Sequence, residues 1–431
     1  MRPRPIFRLR VFVRSLGCPQ RQLPGGVHWT TPDTEMTRLP LLAALLALAA
    51  ACAHGPKSPG APPASPAPAA APLPASPPAP PSPPAPASPP SHPARDPAPV
   101  TFALAGDVML GSSFPDETGG LLPPDDGKSL LAEVTPLFSA ADVAFANLEG
   151  PLAEGGRSEK CARSKPGHCY AFRVPTRYGK HLAAAGLKVV SLANNHAGDF
   201  GDAGRASTRQ TLDALGIRYA GAPGEVARLE ARGKRIAVVA FSTSSGTNDL
   251  RDLPEAARVV AAARQGADLV VVSMHGGAEG ADRQHVPAGR EEFLGEDRGD
   301  LRAFARAVVD AGADLVVGHG PHVVRGMEVV KGRLVVYSLG NFATYGGMNL
   351  SGPNGLSLVL EVRLAADGSF LGGKIHPCRQ EKPGGPRLDP AGAVIPVVRR
   401  LSLEDFGPGA VRVADDGTIS APGSPVASVH E

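Results

Sequence analysis

Eight short apolar runs rich in β-branched residues recur between residues 100 and 362: 100–105, 143–147, 189–193, 236–242, 269–274, 315–318, 334–339 and 356–362. Runs of this length and composition read as strands buried on both faces. Helical periodicity fills several of the intervals, over 177–185, 207–215, 254–264 and 301–311. Gly216 and Gly312 stand where those helices would end in a left-handed residue. Alternating strands and helices predict an α/β protein, with short links among the later strands suggesting an antiparallel portion.

The rest of the 431-residue chain is of a different kind. Twenty of the 46 prolines lie between Gly55 and Pro99, with no Phe, Tyr or Trp among them. Such a stretch cannot bury a core, and in an extended proline conformation it would reach on the order of 100 Å. Before it, MTRLPLLAALLALAAAC from Met36 to Cys52 has a start Met, one Arg, an apolar run and small residues before a Cys. That is the anatomy of an export signal, too short to span a bilayer comfortably. A Cys directly after Ala-Ala-Ala resembles a bacterial lipoprotein signal, with Cys52 as the lipidation site, although Leu48 lies one place further from it than usual. Simple secretion is the alternative.

Residues 1–35 are then an untranslated or disordered leader, 36–51 the signal, 52–99 a tether and 100–365 the folded body, with 366–431 a partly irregular C-terminal extension. The expected place is the cell envelope, on a membrane through a lipid anchor.

The basic balance is a property of the leader. Six Arg against Asp33 and Glu35 give residues 1–35 a surplus of +4, and Arg38 adds one. The total is +3, so the chain from Cys52 carries 3 − 4 − 1 = −2. With aromatics at 5%, neither charge nor stacking favours nucleic acid. Outside the cytoplasm, Cys161 and Cys169 around a Gly- and Pro-containing loop predict a local disulfide. Cys378 has no evident partner.

Chemistry gathers just past the strands. The runs end in Gly106-Asp107, in Asn147-Leu148-Glu149, in Asn194-Asn195-His196, in His275-Gly276-Gly277, in His319-Gly320-Pro321-His322 and in Gly340-Asn341. Ligands of α/β sheets bind beyond the carboxyl ends of strands. Carboxylate, amide and imidazole donors converging there are hard-to-borderline metal ligands. Each alone has an ordinary reading as turn, cap or core residue; together they predict a site. His54, His92, His168, His181, His285 and His376 follow no such end and are expected on the surface or in the linker. Glu279 would either orient His275 or face solvent.

The series GDVML, NLEGPL, SLANNHAGDFG, HGGAE, GADLVVGHGPHVV and YSLGNF, in this order, resembles the CapA family. This is the poly-γ-glutamate (capsule) synthesis group, a branch of the calcineurin-like metallophosphatase superfamily. The resemblance covers about residues 100–345. It implies a four-layer α/β/β/α sandwich with a two-metal site; oxygen and nitrogen ligands without thiolate fit Mn, Fe or Zn, and the sequence does not choose among them. The resemblance implies Asp107, Glu149, Asn195, His275, His319 and His322 as metal ligands and His196 as proton donor, with Asn147, Asn194, Glu279 and Asn341 as supporting motif residues. Met109 stands where metallophosphatases usually have a His, the bridging carboxylate is Glu rather than Asp, and two residues rather than one separate the closing His pair.

Metal-assisted hydrolysis during synthesis, release or attachment of an extracellular anionic polymer follows as the expected function. The partner would be that polymer or its membrane synthase. A non-enzymatic metal-stabilised scaffold and a plain phosphate-ester scavenger are the competing readings.

Overall fold

The computed structural model describes residues 98–115, 121–158, 160–161 and 169–423. The leader, the signal, Cys52, nearly all of the proline tract, His54, His92 and His168 lie outside the described residues. Among the described residues, two large sheets lie face to face and six α-helices accompany them.

The first sheet is built around Val100–Met109. On one side Val143–Leu148, Val189–Ser191 and Arg218–Ala220 follow in parallel register. On the other, Leu356–Leu364 and then Phe370–Gln380 run antiparallel. The second sheet places Lys234–Ser242, Leu269–His275, Leu315–His319 and Arg333–Val336 parallel to one another. After Arg333–Val336 the chain crosses back, and Asn341–Thr344 joins the first sheet, pairing in parallel with the end of Val100–Met109.

Strand side chains alternate between faces, and that period sorts the apolar residues into layers. Phe102, Leu104 and Phe145 of the first sheet meet Val238, Val271, Val317 and Val336 of the second in one core. The alternate residues Ala103, Ala105, Ala144 and Ala146 face outward onto Phe138, Leu182 and Leu212, from helices Thr135–Ser139, Gly179–Ala184 and Gly201–Ala214. On the far side Val239, Val270 and Val316 pack on Val260, Phe304 and Val308, from helices Leu253–Arg264 and Leu301–Asp310. The architecture is a four-layer α/β/β/α sandwich. Asp252 and Asp300 cap the last two helices by accepting from the backbone N–H of Glu255 and Ala303. Gly216 and Gly312 take φ of 70° and 111° just after helices.

Position 365 marks no break in this fold. Phe370–Gln380 continues the first sheet, and Val394, Ile395 and Val398 of the helix Val394–Phe406 join the core between the sheets. His181, expected on the surface, is buried, and its ring lies 2.7 Å from the carbonyl oxygen of Asp126. No described helix is long and apolar enough to cross a membrane.

Candidate metal centre

The apolar core between the sheets turns into a ligand cage at the strand ends. Along one face Leu269 and Val271 lead through Ser273 to His275; along the next strand Leu315 and Val317 lead to His319. His275 and His319 are register partners, so their imidazoles stand side by side on the face that meets the first sheet. Asp107 reaches the same place by an irregularity. Phe102 and Leu104 point inward, so unbroken alternation would send Asp107 outward to the helices. The register with Val143–Leu148 shifts between Leu104 and Asp107, and the phase reverses. Gly106 permits this: a Cβ there would lie 2.0 Å from the carbonyl oxygen of Gly340, which accepts from Asp107 N at 2.9 Å.

Asp107 and Glu149 are fully buried. His322 Nδ1 lies 3.1 Å from Asp107 Oδ2, and its Nε2 lies 3.7 Å from Glu149 Oε1. His275 Nε2 is 3.4 Å from Glu149 Oε1, and His319 Nδ1 is 3.5 Å from Asp107 Oδ1. One donor atom from each of Asp107, Glu149 and His322 falls within 4.8 Å of the others. His322 holds a left-handed φ of 57°, a strained conformation for a residue with a Cβ. The side-chain amides of Asn341 and Asn354 hold its carbonyl at 3.2 and 3.1 Å.

Buried polar atoms are nearly always paired, and each left unpaired costs about 1–3 kcal/mol. Here both carboxylate oxygens of Glu149, Nε2 of His275, both ring nitrogens of His319 and Oδ1 of Asn195 are buried without a hydrogen-bond partner. Each of these residues offers at least one electron pair at the strand ends, the neutral imidazoles one apiece, and a divalent cation satisfies such a set. The residues present therefore fit a metal.

The remaining motif residues support this cage. Asn147 donates to Asp107 Oδ1 at 2.9 Å and accepts from Asn194 at 3.1 Å. Asn194 Oδ1 in turn accepts from the backbone N–H of His196 and Ala197. Asn195 and His196 line a cleft of about 510 Å³ that His322 and Glu279 also line. Glu279 neither orients His275 nor faces solvent freely. It pairs with Arg298 at 2.9 Å and approaches His322 Nε2 at 3.9 Å, because Arg298 is buried beside it and needs an anion.

Residues that carry no strand-end signal complete the cleft. His196 Nδ1 lies 2.7 Å from Asp199 Oδ2, and its ring packs on Phe172 at a centroid distance of 4.3 Å. Lys160 reaches Asp199 Oδ1 at 2.9 Å. Asp199 could have been found as a carboxylate three residues past His196 in one turn; Lys160, Phe172 and Arg298 had no such cue. The structure joins Cys161 and Cys169 in a disulfide.

Burial opposes ionisation of Asp107, yet the close imidazoles of His319 and His322 outweigh it and hold its carboxyl far below the usual range. Burial, reinforced by the charge of Asp107, pushes Glu149 up to about 7. Burial pushes His275 down to about 3. Burial opposes charge on His322, but Glu149 and Asp107 overcome it and raise it to about 10.

The metal-free fold thus holds extra protons. Glu149, raised above its ordinary 4.5, costs stability as pH climbs from 4.5 to 7. His322 contributes stability that is full below about 6.5 and is lost as pH rises through 10. A metal held by His322 would have to displace its proton, so the affinity is expected to rise with pH. Titration calorimetry at pH 8 in buffers of different ionisation enthalpy should show about one proton released per cage filled. Release of no proton would contradict this ligand set.

Residues 101–345 match the family model described as bacterial capsule synthesis protein PGA_cap. The PGA biosynthesis protein CapA of Bacillus subtilis strain 168 is 29% identical over 257 residues, covering 56% of this chain and 62% of that protein. The capsule biosynthesis protein CapA of Bacillus anthracis is 28% identical over 269 residues, covering 58% and 60%. The chain therefore spans about three fifths of the length of these relatives. Among solved structures, a 5'-nucleotidase precursor from Thermus thermophilus aligns over 65% of this chain and 54% of that one, at 14% identity and a TM-score of 0.35.

Proposed function

The chain belongs to the bacterial capsule synthesis protein PGA_cap family, and on that premise we propose that it is a metal-dependent hydrolase serving assembly, release or attachment of an extracellular polyglutamate-like polymer. The observation that carries this reading is the set of orphaned donor atoms on Glu149, Asn195, His275 and His319, opening onto a cleft that holds a His–carboxylate pair. Asp107, Glu149, Asn195, His275, His319 and His322 would hold the metal, two ions by resemblance to metallophosphatases, with Mn, Fe and Zn all suited to the donors. Bound there, a divalent ion supplies Lewis acidity, making water a nucleophile at neutral pH and offsetting developing charge.

The chain's own residues supply the rest. Asp199 accepts a hydrogen bond from Nδ1–H of His196 and fixes the ring, so that the imidazolium form presents Nε2–H to the cleft as proton donor to a leaving oxygen. Phe172 covers one face of that ring and limits water. Lys160 and Arg298 also line the cleft, each paired with a carboxylate, Asp199 and Glu279. The leader pattern and the Cys161–Cys169 disulfide support a place outside the cytoplasm, tethered to the envelope.

The test is a phosphodiester hydrolysis assay on metal-loaded protein, wild type beside His196→Gln. A fall in kcat of about a hundredfold or more with metal content unchanged is expected. Tight metal binding with no turnover of any phosphoester or polyglutamate would instead support a scaffold, the reading that Met109 in place of a His favours.

A further inference from the structure

Two arms of chain converge on His196, and a disulfide ties them together. On the first arm Lys160 Nζ donates to Asp199 Oδ1 at 2.9 Å and to the carbonyl of Asn195 at 3.2 Å, and lies 3.4 Å from His196 Nδ1. On the second, Phe172 N donates to Asp199 Oδ2 at 2.8 Å while its ring packs on His196. The residue after Lys160 is Cys161, and its disulfide partner Cys169 leads through Tyr170 to Phe172.

The carboxylate of Asp199 is buried and takes one proton donor from each arm as well as the imidazole. An ammonium has only protons to offer, so Lys160 cannot accept from Nδ1; it competes with the imidazole for Asp199 and saturates the other oxygen. That leaves Oδ2 as the acceptor for Nδ1–H and fixes the ring's orientation. Lys160 is itself 38% exposed on its side chain and would lose much rotamer freedom in holding this geometry. The neighbouring disulfide restrains the backbone from which it reaches.

We propose that Lys160, restrained by the Cys161–Cys169 disulfide, is a positioning residue that sets His196 through Asp199, so that the disulfide serves the reaction as well as the fold. This rests on the hydrolase reading for its kinetic consequence only. The restraint on the imidazole exists whether or not the site turns over substrate.

The test uses the full-length oxidised chain, the variants Lys160→Met and Lys160→Arg, and the double variant Cys161→Ser with Cys169→Ser. Wild type reduced by a phosphine guards against misfolding of the double variant. The first readout is carbethoxylation of each His by diethyl pyrocarbonate, followed by peptide mass spectrometry. His196 should react about tenfold faster in Lys160→Met and after reduction, with exposed His285 unchanged. Lys160→Arg should stay near wild type.

The second readout is kcat on aryl phosphodiesters whose leaving groups run from p-nitrophenol to phenol. Poor leaving groups need the proton most, so the loss should be about tenfold for phenol and small for p-nitrophenol, with metal content unchanged. Unchanged His196 reactivity in Lys160→Met and after reduction overturns the proposal, as does a kcat loss equal across leaving groups. A wild type that holds metal but cleaves no ester defeats the hydrolase reading alone, and the carbethoxylation rates still decide the role of Lys160.

Discussion

His319→Ala is expected to fold and to lose the metal. The wild-type ring is fully buried, and neither of its nitrogens has a hydrogen-bond partner. Removing it from the metal-free protein therefore deletes packing against Phe145, whose ring lies 5.8 Å away, but also deletes two unsatisfied polar atoms. These effects oppose each other, so the metal-free melting temperature should move little. With metal the outcome separates. An ion at a thousand times its dissociation constant stabilises the fold by about 4 kcal/mol. For a domain of this size that is a rise of about 6 °C. Wild type should show this rise on adding Mn or Zn, and His319→Ala should not. Elemental analysis after gel filtration should find the variant's metal sharply reduced, and hydrolysis should fall about a hundredfold or more. A variant that retains the wild-type metal content would remove His319 from the ligand set and with it the proposed cage.

Gly106→Ala carries the largest expected cost to the fold. Its Cβ would sit 2.0 Å from the carbonyl oxygen of Gly340 and 3.0 Å from the carbonyl carbon. Both belong to the backbone of Gly340, which leads directly into the paired strand Asn341–Thr344 and whose oxygen accepts from Asp107 N, so they have nowhere to go. Overpacking against immobile neighbours usually costs about 1–3 kcal/mol, and a clash this close should exceed about 4 kcal/mol. Asp107 depends on the same crossing for its inward phase, so any folded remainder should bind metal poorly. Gly155→Ala is the matching control, because no atom lies within 4 Å of a Cβ there and its backbone is not left-handed. Urea denaturation should place the control within about 0.5 kcal/mol of wild type. A Gly106→Ala protein of wild-type stability would show that the two strands separate more easily than this packing implies.

Most of the strand positions were legible because burial on both faces leaves a nearly continuous apolar run, and Gly216 and Gly312 marked where two helices end. The cluster of donor residues was legible for a related reason. A carboxylate or imidazole immediately after such a run stands where a parallel strand delivers it to a common edge. Asp107, Glu149, His275, His319 and His322 do converge there. Residues 366–431 read as a partly irregular extension of the domain because the family motifs do not reach them, yet pairing of Phe370–Gln380 with Leu356–Leu364 makes that stretch part of the sheet. His181 read as a surface residue because no motif surrounds it; its partner, the Asp126 carbonyl, is 55 residues away.

The alternation of strands and helices, the ends at which donors would appear, and the family were all written in the order of residues along the chain. Those are local properties, set by which residues follow an apolar run. Only the tertiary structure decided the phase of Asp107, the pairing of Glu279 with Arg298, and the meeting of Lys160, Phe172 and Asp199 around His196. Each depends on two segments that approach only when the sheets pack and the disulfide closes. No one-dimensional pattern records such a distance, because the energy that enforces it is gained between residues far apart in the chain.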